Sequence, residues 1–529
     1  MNYLLGLCVG TSGIKTLITD TSGKIIDTST VEYSVISPKP GWTEQDPDLW
    51  FESSIEAIKD LVGKSNINVK DIVSLGISGQ MHSTVFLDKS NKVIRPAPLW
   101  NDQRSFKECQ YLIDNIGVEK ILEWTSNKPI NSFSLLKVLW LKNNERENFK
   151  ALKKICLSKD YIKLRLSGKL STDPSDASGT LCFDVKRFTW SKDLLDELKL
   201  DISIFPEVRP SGEFSASISK EASMKTGLTE GLPIITGVAD TAGEMLGNGI
   251  SSDGGALIIL GTGGVILTYH SKHYKNNGSL DMFCFPDGKY YSLGVTLSSA
   301  ASIIWGLNNI GLDLKKTEEN MRSDIKFLDF KEYVEKNKFA ILEESAREIP
   351  PGSGGLIFLP YLTGERAPYS DPNAKGVLFG LSLKHDKRHI LRAIMEGVAF
   401  SQRDCYEIIK KNGFIIKRIV ITGGGAKNKL WCQVYSDIFN SGIVRMSTEE
   451  GPSLGVCILS AVSLGIYNSI KEASEKFVKV EEAYHPDNKN TVLYNDLYEI
   501  YHSLYSNLKG SFLKIDKFIN THHFNNLGN

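Results

Sequence analysis

Short apolar runs separated by turn-forming residues open the chain. Residues 4–9 are apolar, Gly10-Thr11-Ser12-Gly13 has the composition of a tight turn, and a second apolar run continues to residue 20. Apolar runs of this length joined by a glycine-containing turn are typical of a β-hairpin. Thr21-Ser22-Gly23-Lys24 then predicts a turn into a third strand. We therefore expect the chain to open with a hairpin that a third strand extends.

The same pattern returns in the second half of the chain. Residues 9–14 are Val-Gly-Thr-Ser-Gly-Ile, and residues 260–265 are Leu-Gly-Thr-Gly-Gly-Val. Each half continues with apolar strands and with amphipathic segments of helical period, for example at residues 48–61 and 389–410. These alternating patterns predict a duplicated chain of the α/β class.

Turn-forming residues are concentrated at residues 248–255, just before the second hairpin. We place the join between two lobes there, with residues 1–248 in the first lobe and 249–508 in the second. Two lobes that close on each other can exclude water, so a cleft between them is the expected place for a ligand. A helix is predicted at residues 494–508, and a polar tail at 509–529 follows it.

Composition and charge exclude several classes of partner. The 529 residues include 62 basic and 62 acidic side chains, and a net charge of zero gives no electrostatic footprint for nucleic acid or an anionic membrane. The eight cysteines show no C-x-x-C spacing, which favours a reducing compartment. The sequence has neither a signal-peptide pattern nor the run of roughly 18 apolar residues that crosses a bilayer. We therefore expect a soluble cytoplasmic protein with no nucleic-acid or membrane partner.

The two glycine-rich turns are candidates for contact with phosphate. A turn of Gly, Ser and Thr between strands can direct backbone N–H groups and a hydroxyl at an anion. Either turn alone is more often a plain tight turn. Two matching turns, with Gly423-Gly424-Gly425 as a third place where a backbone can approach a ligand closely, suggest a clamp around a polyphosphate.

Two longer motifs resemble the signatures of the FGGY family of carbohydrate kinases, within the actin-like and hexokinase-like ATPases. The first spans residues 132–144 and begins Ser132-Phe133-Ser134, and the second spans residues 376–396 and includes Gly380-Leu381. The resemblance covers residues 4–508. It implies two actin-like lobes of the ribonuclease H and hexokinase type, with mixed sheets around a central cleft. It also implies ATP-dependent phosphorylation of a sugar, Mg²⁺ with the ATP, and a homodimer as the ordinary assembly.

Within this family the motifs are most similar to those of xylulokinases, through residues 78–82 and 99–104. The resemblance therefore implies a ketopentose substrate, with D-xylulose converted to D-xylulose 5-phosphate. Another sugar or polyol kinase is the alternative, since gluconate kinases also carry a Met-His pair. The expected contacts with the sugar are Gln80, Met81, His82, Trp100, Asn101, Asp102, Asp240 and Thr241.

Asp240 is the expected catalytic base by the same resemblance. A hydroxyl is a weak nucleophile, and a carboxylate within hydrogen-bond reach can orient it and accept its proton. An N-cap or turn aspartate is the structural alternative, which the small flanking residues permit. Relatives often have Asn where this chain has Thr241, so one hydrogen bond to the sugar is expected to differ. The residues expected beside ATP are Thr11, Ser12, Gly261, Thr262, Gly424, Gly425 and Asn428.

Cys8 departs from the family pattern. Family members carry Asp at this place in the first strand, where it helps to hold the water shell of Mg²⁺, and a thiol is a poor replacement because Mg²⁺ prefers oxygen ligands. Three hypotheses follow. The chain uses Mg²⁺ and ATP weakly, another carboxylate such as Asp20 compensates, or the chain is an impaired paralogue that binds sugar or nucleotide without catalysis. A fourth, structural explanation is that Cys8 is a small buried strand residue, like Ile259 in the second repeat.

Overall fold

The opening hairpin forms as its sequence predicts. In the computed structural model, which describes residues 2–311 and 327–522, the strand Tyr3–Val9 pairs antiparallel with Gly13–Asp20. The third strand, Ile25–Glu32, pairs antiparallel with the second. The amide N–H of Gly10 donates to the carbonyl of Gly13 over 2.9 Å and closes the turn.

This hairpin belongs to a mixed sheet of seven strands. The strand Ile72–Gly79 lies parallel to Tyr3–Val9, and Val238–Ala239 lies parallel to Ile72–Gly79 beyond the main path. The main path of the sheet has six strands. Their order is Phe214–Ser217, Pro233–Ile235, Ile72–Gly79, Tyr3–Val9, Gly13–Asp20 and Ile25–Glu32, and Val238–Ala239 is the seventh strand.

Helices cover both faces of this sheet because both faces of its central strands are apolar. Leu5 and Leu7 lie in a core that contains Trp50 and Ile58 of the helix Pro47–Lys64. Asp46 caps this helix by accepting a hydrogen bond from the amide of Asp48. On the other face, Leu4 and Leu17 share a core with Leu454 and Ile458 of the helix Gly451–Ser463. The remaining helices that group with this sheet are Phe106–Asn115, Val118–Thr125, Ser134–Asn144, Arg146–Ala151, Ser158–Ser167, Pro174–Ser178, Lys192–Glu197, Lys220–Thr226, Asp240–Gly247 and Ile470–Phe477.

The second hairpin also forms, and it too lies in a mixed seven-stranded sheet. Gly255–Leu260 pairs antiparallel with Gly264–His270 and parallel with Arg418–Thr422. The strand order is Asp281–Phe285, Lys289–Thr296, Gly264–His270, Gly255–Leu260, Arg418–Thr422, Ile443–Met446 and Val480–Tyr484. Within the described residues, the α-helices that group with this sheet are Ala300–Asn309, Phe327–Arg347, Lys387–Lys411, Lys429–Phe439 and Asn488–Thr521. None of the helices in residues 2–311 and 327–522 is long and apolar enough to cross a membrane.

Two compact units result, and both are discontinuous in sequence. The first contains 1–252, 269–292 and 450–479, and the second contains 253–268, 293–449 and 480–529. The lobe boundary at residue 248 stays a prediction, and the structure adds two later segments that group with the first unit. The sequence alone does not predict that these two segments join the first unit, because this depends on which apolar faces pack together across long separations in the chain.

The end of the chain differs from its prediction. The helix predicted at residues 494–508 spans Asn488–Thr521, so most of the segment predicted as a polar tail is helical. Phe512 is buried in that segment, and its burial continues the apolar face of Tyr498, Tyr501 and Tyr505. The last part of the predicted tail, residues 523–529, lies outside the described residues.

Two helices of the first unit cross at very short range. Asp240–Gly247 and Gly451–Ser463 meet at glycines, and a methyl group on Gly455 would overlap the carbonyl oxygen of Gly243. A methyl group on Gly247 would overlap the carbonyl of Gly451 in the same way. Only glycine permits this approach, because any side chain at these positions would separate the two backbones.

Replacing Gly455 with alanine is therefore expected to destabilise the first unit. The added methyl meets backbone that cannot rotate away, and overpacking of this kind costs about 1–3 kcal/mol in the free energy of unfolding. Gly63 is a matched control, since it is also helical and a methyl group there would have no atom within 4 Å. Gly63→Ala is expected to raise the free energy of unfolding by roughly 0.5–1 kcal/mol. Urea unfolding followed by circular dichroism measures both, and equal midpoints for the two variants would contradict the close crossing.

Candidate active site

Asp240 lies where two parallel strands end. Val238–Ala239 is in register with Ser78 and Gly79, so Asp240 and Gln80 leave the sheet side by side. Asp240 is the first residue of the helix Asp240–Gly247, and its carboxylate accepts a hydrogen bond from the amide of Thr241 over 2.8 Å. The carboxyl edge of parallel strands is the usual place for a ligand in α/β proteins.

Polar atoms of three other side chains gather beside Asp240. The Thr241 hydroxyl lies 3.0 Å from the Met81 sulfur and 2.8 Å from the hydroxyl of Tyr291. Tyr291 was not among the predicted site residues, because it reaches the site from residues 269–292, far away in sequence. The structure therefore brings Met81, Asp240 and Thr241 together and adds Tyr291, and the contact of the three predicted residues with the sugar stays a prediction.

The environment of Asp240 suits a proton acceptor. Burial raises the pKa of its carboxyl to about 6, although hydrogen bonds from backbone amides, including that of Thr241, oppose the rise. A carboxylate with a pKa near neutrality still ionises at physiological pH and accepts a proton more readily than an exposed aspartate does. The side chain is partly exposed and is accessible to a ligand.

The first glycine turn is tied to two predicted sugar contacts. The indole N–H of Trp100 donates to the Thr11 hydroxyl over 2.9 Å, and that hydroxyl donates to the Gln80 amide oxygen over 3.1 Å. Gln45 donates to the carbonyl of Thr11 over 2.8 Å and holds the turn from the other side. Ser12 is exposed at the tip of the turn. Thr11, Gln80 and Trp100 thus form one hydrogen-bonded group.

His82 is held in an unusual backbone conformation. Its φ is +67°, its side chain is buried, and its Nδ1 lies 2.5 Å from the carbonyl oxygen of Gly179. The ammonium group of Lys137 donates to the carbonyl of His82 over 2.8 Å and to that of Ser132 over 2.6 Å. Burial lowers the pKa of Lys137 to about 7. Left-handed backbone in a non-glycine residue costs about 1–3 kcal/mol, so the contacts around His82 must hold it in this conformation.

Lys137 lies within the first signature motif, although sequence reasoning gave it no role. Its position in that motif was the available signal. Its contact with His82 could not be found from spacing, since 55 residues separate the two side chains in sequence.

Asp102 takes a different position from the other predicted contacts. It is fully buried, and its oxygens accept hydrogen bonds from the guanidinium of Arg104 and, over 2.7 Å, from the amide of Thr43. Asn101 is exposed and accepts a hydrogen bond from the Thr43 hydroxyl over 2.8 Å. In the structure Asp102 thus holds Arg104 and the backbone of Thr43 in place, and its contact with the sugar stays a prediction.

Cys8 lies in the first unit on the central strand, in register with Ser78 and Lys15. Burial raises the pKa of its thiol well above the usual range, and the charges of Asp240 and Glu244 raise it further. The thiol is therefore protonated at neutral pH, and it does not fit Mg²⁺. Among the described residues no cluster of three or more His, Cys, Asp or Glu side chains could hold a metal ion. One or two carboxylates with substrate phosphates remain the arrangement that fits Mg²⁺.

The compensation by Asp20 that the sequence suggested is wrong. Asp20 pairs with Tyr3, at the opposite end of the strand from Cys8. Its carboxylate accepts hydrogen bonds from Ser22 and Lys24 and stabilises the following turn. Five residues of extended strand separate the two positions by roughly 16 Å. The carboxylates whose charges act on Cys8 are those of Asp240 and Glu244. Burial raises the pKa of Glu244 to about 7, and the charge of Asp240 adds to the rise.

A cavity of about 430 Å³ lies in the second unit. Its apolar lining includes Ile303, Met395 and Trp431. Apolar walls with a few polar groups are typical of a site for a small molecule or cofactor. The residues predicted beside ATP that line this cavity are Gly261, Thr262, Gly424, Gly425 and Asn428.

Gly424 and Gly425, which line this cavity, differ in how closely other atoms approach them. A methyl on Gly425 would overlap Leu260 and the ring of Trp431, whereas one on Gly424 would meet no atom within 4 Å. Asn428 caps the helix Lys429–Phe439 by accepting a hydrogen bond from the amide of Trp431 over 2.8 Å. The N-terminal end of a helix and a glycine turn both present backbone N–H groups, which suit phosphate.

Comparison with known proteins agrees with this arrangement. The model of the FGGY family of carbohydrate kinases, N-terminal domain, matches residues 3–247, and that of the C-terminal domain matches residues 256–464. The chain belongs to the FGGY family of carbohydrate kinases. It is 35% identical over 518 residues to a xylulose kinase of Bacillus subtilis, covering 96% of this chain and 98% of that protein. It is 36% identical to a xylulose kinase of Lactococcus lactis, covering 96% and 97%.

Solved structures of the family have the same fold. A ligand-bound xylulose kinase from Lactobacillus acidophilus superposes with a TM-score of 0.87 at 28% identity, covering 97% of this chain and all of that one. A gluconate kinase from the same organism gives 0.87 at 29% identity, covering 97% and 99%. The predicted α/β class with two mixed sheets is confirmed. The chain is a sugar kinase, a phosphotransferase that acts on an alcohol group with ATP as its substrate.

The role of Asp102 can be tested by comparing it with its exposed neighbour. Asp102→Asn removes one of the two carboxylates, those of Asp102 and Glu44, that pair with the buried Arg104 guanidinium. Losing a hydrogen-bonded contact with a charged group of this kind is expected to cost about 1.5–3 kcal/mol in the free energy of unfolding. Asn101→Ala removes an exposed side chain, and its effect is expected to stay within about 0.5 kcal/mol. Urea unfolding measures both. An Asp102→Asn variant as stable as the parent protein would show that the carboxylate is not needed for folding.

Proposed function

We propose that this sugar kinase transfers the γ-phosphoryl group of ATP to D-xylulose and forms D-xylulose 5-phosphate. The observation that carries the proposal is Asp240, a partly exposed carboxylate with a raised pKa beside Met81, Thr241 and Tyr291. The relatives named xylulose kinase support the choice of sugar.

Asp240 serves as the base in this proposal. The sugar hydroxyl gives its proton to a carboxylate oxygen of Asp240 while its own oxygen forms the bond to the γ-phosphorus. The bond between that phosphorus and the β,γ-bridging oxygen breaks, and ADP leaves with the electron pair. Thr241 orients a polar group of the sugar, and the buried Tyr291 holds the Thr241 hydroxyl in place. His82 presents its imidazole from a fixed backbone.

The second-unit cavity binds ATP in this proposal. Its apolar walls, which include Trp431, enclose the adenine ring of ATP, and Gly261, Thr262 and Gly424 lie along the phosphates. Thr11 and Ser12 of the first turn contact the phosphoryl group that is transferred. Mg²⁺ bound with ATP supplies charge neutralisation at the phosphates.

A second candidate substrate is gluconate. The gluconate kinase structure matches this chain as well as the xylulose kinase structure does, with a TM-score of 0.87 for each. A gluconokinase of Bacillus subtilis is 27% identical over 478 residues. Binding without catalysis is a candidate of another class, and Cys8 is the residue that favours it.

The substrate assignment is tested by ADP release on a panel of sugars and polyols. Turnover is expected with D-xylulose, and Asp240→Asn is expected to lower kcat by about 10²–10⁴-fold, because the base is lost while the side-chain shape is kept. Isothermal titration of D-xylulose should give similar affinity for both proteins. Turnover of gluconate alone would favour the second candidate, and sugar binding without ADP release by the parent protein would favour a binding protein.

The pH dependence of the reaction follows from the pKa of Asp240. The base accepts a proton only when ionised, so kcat/KM is expected to rise with pH and to reach half its maximum at about pH 6. The rise should be absent from the residual activity of Asp240→Asn. A profile with its half-maximum near pH 4 would contradict the raised pKa of this carboxylate.

A further inference from the structure

The strand that precedes the first glycine turn offers no carboxylate. Cys8 stands two residues before Gly10, and the strands on either side of it place Ser78 and Lys15 in register with it. None of these three side chains is an anionic oxygen ligand. A hard divalent cation near this turn therefore needs a carboxylate from another element.

The helix Asp240–Gly247 brings two carboxylates close to the strand that carries Cys8. Asp240 and Glu244 are four residues apart, so they lie on the same face of the helix, one turn from each other. Gly243 allows the helix to lie against Ser78, since a methyl there would be 3.1 Å from the Ser78 hydroxyl. Ser78 is the parallel neighbour of Cys8. Glu244 thus approaches Cys8 from the adjacent helix, and its charge acts on the thiol.

The carboxylate of Glu244 occupies space that a glycine leaves open. A methyl group on Gly451 would overlap both of its oxygens. Oε1 accepts a hydrogen bond from the side-chain amide of Asn248 over 3.1 Å. Oε2 meets no hydrogen-bond donor within residues 2–311 and 327–522, and the side chain is partly exposed. One oxygen is therefore fixed, and the other is available to a ligand.

The two neighbouring carboxylates, those of Glu450 and Asp240, are less suited to bind a cation than that of Glu244. Glu450 is 3.2 Å from the ammonium group of Lys15, so its charge is already compensated. Asp240 must stay available for the proton of the sugar. Glu244 forms no ion pair within residues 2–311 and 327–522, although the charge of Lys15 favours its ionised form.

We propose that Glu244 is the carboxylate that engages the Mg²⁺ of ATP, through the water shell of the ion, and so replaces the oxygen ligand that Cys8 cannot supply. The inference rests on the proposed function. Mg²⁺ retains several waters and is commonly bound by one or two carboxylates together with substrate phosphates. The carboxylate that contacts the ion's water shell thus stands on the helix that also carries the base.

Metal binding can be measured without turnover. Mn²⁺ is titrated into the full chain in the presence of a non-hydrolysable ATP analogue, and free Mn²⁺ is followed by electron paramagnetic resonance. Glu244→Gln keeps the size of the side chain beside Gly451 and removes its charge. We expect it to weaken Mn²⁺ binding about 10–100-fold, the usual effect of losing an outer-shell partner of a metal. Glu450→Gln is the matched control and should change the affinity less than threefold.

If Glu244 supplies the carboxylate for the metal ion, an aspartate at position 8 of the strand should be able to replace it in Mn²⁺ binding. Cys8→Asp introduced into Glu244→Gln is expected to restore Mn²⁺ affinity to within about threefold of the parent protein. Unchanged Mn²⁺ affinity in Glu244→Gln would overturn the proposal, and so would a failure of Cys8→Asp to restore it in a variant with the parent melting temperature. A parent protein that releases no ADP with any sugar would instead overturn the proposed function, while a Glu244-dependent Mn²⁺ affinity would still support the inference.

Discussion

The close crossing of Asp240–Gly247 with Gly451–Ser463 determines where the chemistry of the first unit can lie. Glycines on both helices allow backbone to meet backbone, and a methyl group at Gly455 or Gly247 would overlap the partner helix. Because Gly451–Ser463 also packs on the sheet through Leu454 and Ile458, it fixes the helix that carries Asp240 relative to the strands. The carboxylate is thereby held at the sheet edge where Met81 and His82 emerge.

The same packing explains the electrostatics of the site. Packing around this helix removes part of the hydration of the two carboxyl groups, which raises the pKa values of Asp240 and Glu244 to about 6 and about 7. A protonated thiol at Cys8 adds no further negative charge. An aspartate at that strand position would be a third carboxylate in a crowded region, so Cys8 and Glu244 are best understood together.

Local patterns sufficed for much of the fold and for part of the site. Both hairpins and the helices at 48–61 and 389–410 form within a few residues of their predicted bounds, as Pro47–Lys64 and Lys387–Lys411. The family motifs led to Asp240 and to the five residues that line the second-unit cavity. Tyr291, Lys137 and Glu244 acquired roles only through contacts across long separations. No periodicity records such contacts, because they depend on how whole elements pack.

The sequence by itself determined the α/β class, the duplication and the family, because each is carried by residues close together in the chain. Tertiary structure alone decided which segments join each unit, why Asp102 is buried with Arg104, and why Asp20 cannot serve Cys8. Strand register separates Asp20 from Cys8, although the two are only twelve residues apart in the chain. Helix packing brings Glu244 toward the same strand from a distant part of the sequence. Spacing along the chain controls local geometry, whereas burial and charge depend on every element that packs around a residue.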